Sequence, residues 1–165
     1  MVEFAAKVEQ RTGEIFVFGS TPDLRDRFIS SICPQVRRTD MGFTFGQLRI
    51  NEGLDLFLYG LEFSHDYAWE LMARKMVAFL ALIRWQERES IRYAGRVLEF
   101  VCDQFDPLFL ICAEVDEEST PLHPHIKDGE INVSTAGRLL FYSPNRADSQ
   151  KRIMRRLFEL LIQVR

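Results

Sequence analysis

Residues Glu14 to Ile32, EIFVFGSTPDLRDRFISSI, constrain the fold of this chain more than any other stretch. Ile15, Phe16, Val17 and Phe18 form an unbroken apolar run, which predicts a strand covered on both faces, and Gly19 ends it where the backbone must turn sharply. Leu24, Phe28 and Ile32 recur every fourth residue, with Ile29 widening the stripe, which predicts a helix with one buried face. Thr21, Pro22 and Asp23 supply its start: a capping hydroxyl, a proline at the first helical position and an acid in the first turn. Strand, glycine turn and helix in this order belong to an open α/β sheet, at the place where such sheets hold an anion or a nucleotide.

The rest of the chain continues the alternation. Met1 to Gly13 reads as a lead-in strand or a disordered start. Cys33 to Asp40 reads as a loop by its proline and charges. Two strands joined by a hairpin follow, Phe43, Phe45 and Leu48 to Ile50, then Leu54 to Tyr59, with Asn51-Glu52-Gly53 as the turn. After a loop from Gly60 to Asp66, Tyr67 to Arg74 is a short helical stretch carrying Trp69. Met76 to Trp85, MVAFLALIRW, is the most hydrophobic run and the candidate central strand. Ile91, Ala94, Leu98, Val101 and Phe105 mark a helix over Glu87 to Phe105, stopped by Asp106-Pro107. Leu108 to Ala113 is a further buried strand, Glu114 to Gly129 an acidic loop, Leu139 to Tyr142 a weaker strand and Asp148 to Val164 a closing helix. This order predicts an α/β three-layer sandwich, a mostly parallel sheet covered on both sides with one antiparallel edge strand, as a single domain over 1–165.

Bulk properties narrow the function. With 47% hydrophobic and 27% charged residues the chain has the composition of a globular domain, and 21 Lys+Arg against 24 Asp+Glu give no global attraction to nucleic acid or anionic membrane. Cys33, Cys102 and Cys112 are an odd, widely spaced set among apolar residues and read as reduced core thiols of a cytoplasmic protein. No stretch reaches membrane-spanning length, and the N-terminal residues lack the apolar core of a signal peptide.

A phosphate loop requires GxxxxGK[ST]: glycine amides cradle the phosphates, the lysine neutralises them, and the hydroxyl ligates magnesium. Counted from Gly19, the second glycine falls on Leu24, the lysine on Arg25 and the hydroxyl on Asp26. The expectation is a helix that begins early, with Thr21, Pro22 and the acids Asp23 and Asp26 filling and charging the cradle. Arg25 supports the opposing expectation, since a guanidinium also binds phosphate, alone or with Arg27, Arg37 and Arg38.

The order of elements, with a hairpin after the first helix, resembles the Ras-type small GTPases, a P-loop NTPase fold. The segments LFLYGLEFSHDY, Leu56 to Tyr67, and FTFGQLRINEGL, Phe43 to Leu54, are similar to the LxLFGTPGQERF and MDFGxxxLDDGL segments of small prokaryotic GTPases of the gliding-motility and polarity type. The resemblance implies that the γ-phosphate-binding glycine falls on Phe63 and the water-orienting glutamine on Ser64. Neither can do the family's work, because phenylalanine blocks close backbone approach and serine is too short. The guanine-reading NKxD falls on Ala113 to Asp116 and keeps only Asp116. The last guanine-contacting loop falls near Ser143, Pro144 and Asn145, and the switch threonine on Thr39 or Asp40.

Two functions follow from the resemblance. One is a catalytically silent GTPase-like module acting through protein contacts, with a roadblock- or longin-type partner or with itself and without a cofactor. The other is an atypical GTP-binding protein that uses Arg25 and Asp116 with magnesium. The candidate interaction surface comprises Phe43, Phe45, Leu61, His65 and Tyr67, on the expectation that the Phe43 to Ile50 strand is a sheet edge able to accept a partner strand. Its alternative is a plain hairpin packed on the closing helix. His123, Pro124, His125 and Asp128 are poorly spaced for a metal, and Ser64, His65 and Asp66 are adjacent in sequence rather than convergent as in a hydrolase triad. Lys151, Arg152, Arg155 and Arg156 read as the wet face of the closing helix.

Overall fold

In the computed structural model the apolar runs pair into one seven-stranded sheet; the structure describes residues 10–40, 43–63, 67–116 and 138–163. In chain order the elements are β1 (Arg11–Phe18), α1 (Pro22–Ile32), β2 (Gln35–Arg38), β3 (Thr44–Asn51), β4 (Leu54–Gly60), α2 (Tyr67–Ala73), β5 (Ala78–Arg84), α3 (Arg88–Phe105), β6 (Phe109–Glu114), β7 (Leu139–Tyr142) and α4 (Ala147–Gln163). The strand order is β2-β3-β4-β1-β5-β6-β7. From β4 onward neighbouring strands are parallel, whereas β3 is antiparallel to both β2 and β4.

Three expectations are corrected here. The middle place in the sheet belongs to β1, which pairs Ile15 with Leu58 on one side and Ala78 on the other; the Met76 to Trp85 run supplies β5 beside it. Both strands are covered on both faces, so hydrophobicity alone could not rank them. The Cys33 to Asp40 stretch is not all loop, because residues 35–38 form β2 and pair with Gln47 to Thr44 of β3. The strand expected at the edge therefore lies one place inside it. Arg11 to Gly13 belong to β1, while residues 1–9 lie outside the described part.

Alternation along the strands sorts their side chains onto two faces. Ile15, Val17, Leu56, Leu58, Leu80 and Leu110 pack beneath Leu24, Phe28 and Ile29 of α1 and Ile153, Met154 and Leu157 of α4. Phe16, Phe18 and Phe79 meet Trp69 and Ala73 of α2 and Val97 and Val101 of α3, and Ala81, Ile83, Ile111 and Ala113 meet Ile91 and Ala94. The result is helices, sheet and helices in three layers. The first face is tight at Gly46, where an added Cβ would lie 2.6 Å from Ile29 Cγ2 and 2.7 Å from Cys33 Sγ. Only glycine lets β3 approach α1 so closely.

The ends of the elements follow from local chemistry. Thr21 caps α1 by accepting the Leu24 N–H at 3.3 Å, and Pro22 is its first residue. α3 ends on Asp106 in the left-handed region, φ 43°, before Pro107. Asn51 Oδ1 accepts the Gly53 N–H at 2.8 Å within the β3–β4 turn. Cys33 and Cys112 are buried free thiols and Cys102 is half-buried; burial pushes Cys33 up to about 11 and Cys112 further still. Among the described residues no helix is long and apolar enough to cross a membrane.

Candidate functional site

The connection after β1 leads toward β2, β3 and β4, and the connection after β5 leads the other way, to β6. The crevice outside the carboxyl ends of β1 and β5 is therefore the topological switch point, where a sheet of this kind holds its ligand. Gly19 stands on one side of that crevice and Arg84 on the other.

Only Gly19, Ser20 and Thr21 separate β1 from α1, so Pro22 to Asp26, which a phosphate-binding loop would leave wrapped around an anion, are already helical. The early start takes up amides of the first turn. Pro22 has none, that of Leu24 goes to Thr21 Oγ1 and that of Arg25 to the Thr21 carbonyl at 3.4 Å. The first turn lies directly on the glycine: a Cβ at Gly19 would stand 3.1 Å from Arg25 Cγ and 3.3 Å from Leu24 Cδ2. Leu24 is wholly buried in the core.

Arg25 is the plug. Its residue surface is 7% exposed, and Nη1 donates to the Gly19 carbonyl at 2.7 Å, turning the guanidinium back over the end of β1. Nε is buried without a hydrogen-bond partner, and no carboxylate forms an ion pair with this arginine among the described residues. The expected occupants were instead the acids, and that is corrected. Asp23 is exposed and pairs with Arg27 at 3.0 Å and Arg84 at 3.3 Å, while Asp26 accepts from Thr44 Oγ1 and faces Arg38 at 3.9 Å. Each acid is held by an arginine, so repulsion by unpaired carboxylates is not what this turn presents.

Polar contacts bolt the crevice across its width. Ser20 Oγ lies 3.3 Å from Ser90 Oγ, and Ser90, fully buried, accepts the Arg84 N–H at 2.9 Å. The Asp23–Arg84 pair crosses from α1 to the end of β5, and Arg27 reaches Glu114 at the end of β6 at 3.1 Å. Glu114 also accepts the Tyr142 hydroxyl at 3.2 Å, and burial together with this carboxylate raises the tyrosine pKa. Ser90, Arg84 and Glu114 carried no motif, and only the fold brings them together.

Phe63, which the resemblance would align with a phosphate-binding glycine, packs its ring on Trp69 at 5.2 Å and Phe100 at 5.1 Å, and its N–H donates to the Tyr93 hydroxyl at 3.0 Å. Its amide is spent inside the protein rather than offered to a ligand. Asp116 is exposed beyond β6. Ser143 is buried, its N–H donating to Ser149 Oγ at 3.1 Å. Thr39 Oγ1 donates to the Phe43 carbonyl at 3.2 Å, a turn contact, and Asp40 is exposed. The four arginines weighed as an anion cluster diverge: Arg25 is inward, Arg27 is paired, and Arg37 and Arg38 alternate across β2. Ser64, His65, Asp66 and the segment carrying His123, Pro124, His125 and Asp128 lie outside the described residues. Among the described ones no group of His, Cys, Asp or Glu could hold a metal.

The expected interaction surface divides. Leu61 is 9% exposed and packs with Phe16 and Trp69, so it belongs to the core and is withdrawn from the surface. Tyr67 opens α2, with its side chain outside the described part. Phe43 and Phe45 are half-buried and cluster with Phe57 and Tyr59, Phe45 stacking on Phe57 at 5.4 Å. They lie on the face of β3 and β4 opposite α1, so the alternative in which they pack on the closing helix does not hold for these two rings. A cavity of about 610 Å³ lies at the far end of the sheet, lined by Met76, Val77, Phe105 and Leu108, away from the crevice. Lys151, Arg152 and Arg155 are exposed on α4, and Arg156 pairs with Glu159 at 3.3 Å.

Among known proteins, no family model matches this chain and no curated protein aligns with it as a relative.

Proposed function

We propose that this chain is a catalytically silent GTPase-like domain that acts as a protein-interaction or regulatory module in the cytoplasm. The strand order supports the Ras-like part of this reading: the hairpin after α1 lies on one side of β1 and the parallel strands on the other, with β2 as one further strand outside the hairpin. The observation that carries the silent part is Arg25, whose guanidinium folds onto the Gly19 carbonyl in the space a phosphate would need. The Ser20–Ser90 and Asp23–Arg84 contacts support it, since they link the two sides of the crevice. A roadblock- or longin-type partner would meet the half-buried aromatics Phe43 and Phe45, one strand in from the sheet margin at β2.

One observation favours an atypical GTP-binding protein instead: Arg25 Nε is buried without a partner, and such an atom gains from an anion. The two readings part in one experiment. The purified protein is denatured, its supernatant is analysed for released nucleotide, and the native protein is titrated with GTP and ATP in the presence of magnesium. The silent module releases none and binds neither. A dissociation constant of about 1 μM or tighter, roughly −8 kcal/mol, overturns it in favour of the second reading.

A further inference from the structure

One margin of the sheet is β2, which pairs on one side only among the described residues, and its chemistry is specific. All four residues, Gln35 to Arg38, are exposed, with Val36 at 39%. The Thr39 N–H donates to the Phe43 carbonyl at 2.9 Å, and this fixes the alternation of the antiparallel pair. Arg37, two residues before Thr39, turns its N–H and C=O toward β3, as does Gln35. Val36 and Arg38 turn theirs outward, where no backbone partner meets them among the described residues. The side chains alternate as well: Arg37 stands beside Phe45 on the aromatic face, and Arg38 lies on the α1 face, 3.9 Å from Asp26. Arg37 makes no ion pair among the described residues.

We propose that β2 is a docking edge for an extended acidic segment of a partner protein, which adds a strand through the outward N–H and C=O groups of Val36 and Arg38 and sets carboxylates against Arg37 and Arg38. Backbone pairing supplies the attachment, and the arginines supply the choice. A second copy of β2 would bring two guanidinium groups together on each face, so the same charges that admit an acidic strand refuse self-pairing. Because the arginines lie on opposite faces, the segment carries two adjacent acids rather than alternating ones. Pro34 has no N–H and Asp40 is an acid, which confines the pairing to the residues between them. This deepens the interaction-module reading and rests on it for the existence of a partner.

The test is an amide chemical-shift and hydrogen-exchange titration of the full chain with a short strand-forming peptide bearing two central glutamates. Controls are the same peptide with two lysines and the glutamate peptide N-methylated on its central amides. The glutamate peptide is expected to shift and protect the Val36 and Arg38 amides and to bind at least tenfold more tightly than either control. The double variant R37E/R38E, exposed and checked by circular dichroism, is expected to prefer the lysine peptide. The proposal is overturned if no peptide perturbs Val36 and Arg38, if N-methylation leaves binding unchanged, if charge reversal leaves the preference unchanged, or if the free chain dimerises through β2. Nucleotide binding reports on the crevice and this titration on the edge, so failure of either reading is distinguishable from failure of the other.

Discussion

If Arg25 is a plug, its side chain matters as volume more than as charge, and two substitutions separate these roles. Arg25→Ala removes two packed methylene positions, about 0.8 kcal/mol each, and the charge-assisted bond to the Gly19 carbonyl, about 1.5–3 kcal/mol. Against this it abolishes the burial of an unpartnered Nε, which costs about 1–3 kcal/mol. The balance is a loss of about 2 kcal/mol, or roughly 4–8 °C in Tm for a domain of this size. Arg25→Met keeps the methylene positions, loses the hydrogen bond and sheds the orphaned donor, so its stability stays within about 1 kcal/mol of the parent. Thermal and urea unfolding of the three proteins, each with and without 10 mM (about the millimolar range of weak anion sites) inorganic phosphate, measure these differences. An alanine variant as stable as the parent, or a parent stabilised by phosphate when the methionine variant is not, refutes the plug and makes Arg25 an anion ligand.

Gly46→Ala drives a methyl group into Ile29 and Cys33, and a loss of about 1–3 kcal/mol in urea unfolding is expected. Asp55 accepts from Arg49 at 3.0 Å and from Gln10 and Gln47; the Arg49 hydrogen bond leads in holding its carboxyl below the usual range, against the opposing effect of burial. A folded-state pKa that is lowered contributes stability present above the ordinary carboxylate value of 3.8 and lost as pH falls through the folded value. Asp55→Asn is therefore expected to flatten the acid limb of a Tm-versus-pH curve, and an unchanged limb rules this origin out. With Cys33 and Cys112 buried and Cys102 half-buried, iodoacetamide is expected to modify Cys102 first in the native protein, as mass spectrometry of tryptic peptides would read directly.

Legibility from the sequence tracked how much each element is held by hydrophobic burial. α3 was readable because Ile91, Ala94, Leu98 and Val101 mark one face, and the observed helix, Arg88–Phe105, differs from the expected one only at its first residue. β7 was found as Leu139 to Tyr142 despite its short length. β2 was not found because all four of its side chains are exposed; it exists through backbone pairing with β3, which leaves no period in the sequence. The start of α1 was legible through Thr21 and Pro22, but the inward turn of Arg25 was not. Asp23 is held by Arg27 one turn on and by Arg84 far along the chain, and Asp26 by Thr44 and Arg38, which only the β2–β3 pairing brings to α1. Leu61 was misread as surface because a loop residue beside a strand end carries no sign of the aromatic cluster that covers it.

The reversed direction of β3 divides the birth of this sheet into two episodes. β2, β3 and β4 are neighbours in sequence as well as in space, so their pairing closes only short loops. β1 must wait for Leu54 to meet Arg11, and β7 for Leu139 to meet Ile111, across much longer spans. An unfolded chain thus has a quick local rehearsal at one side of the sheet and a slow long-range completion at the other. The margin proposed for docking would be among the first parts of the molecule to take shape.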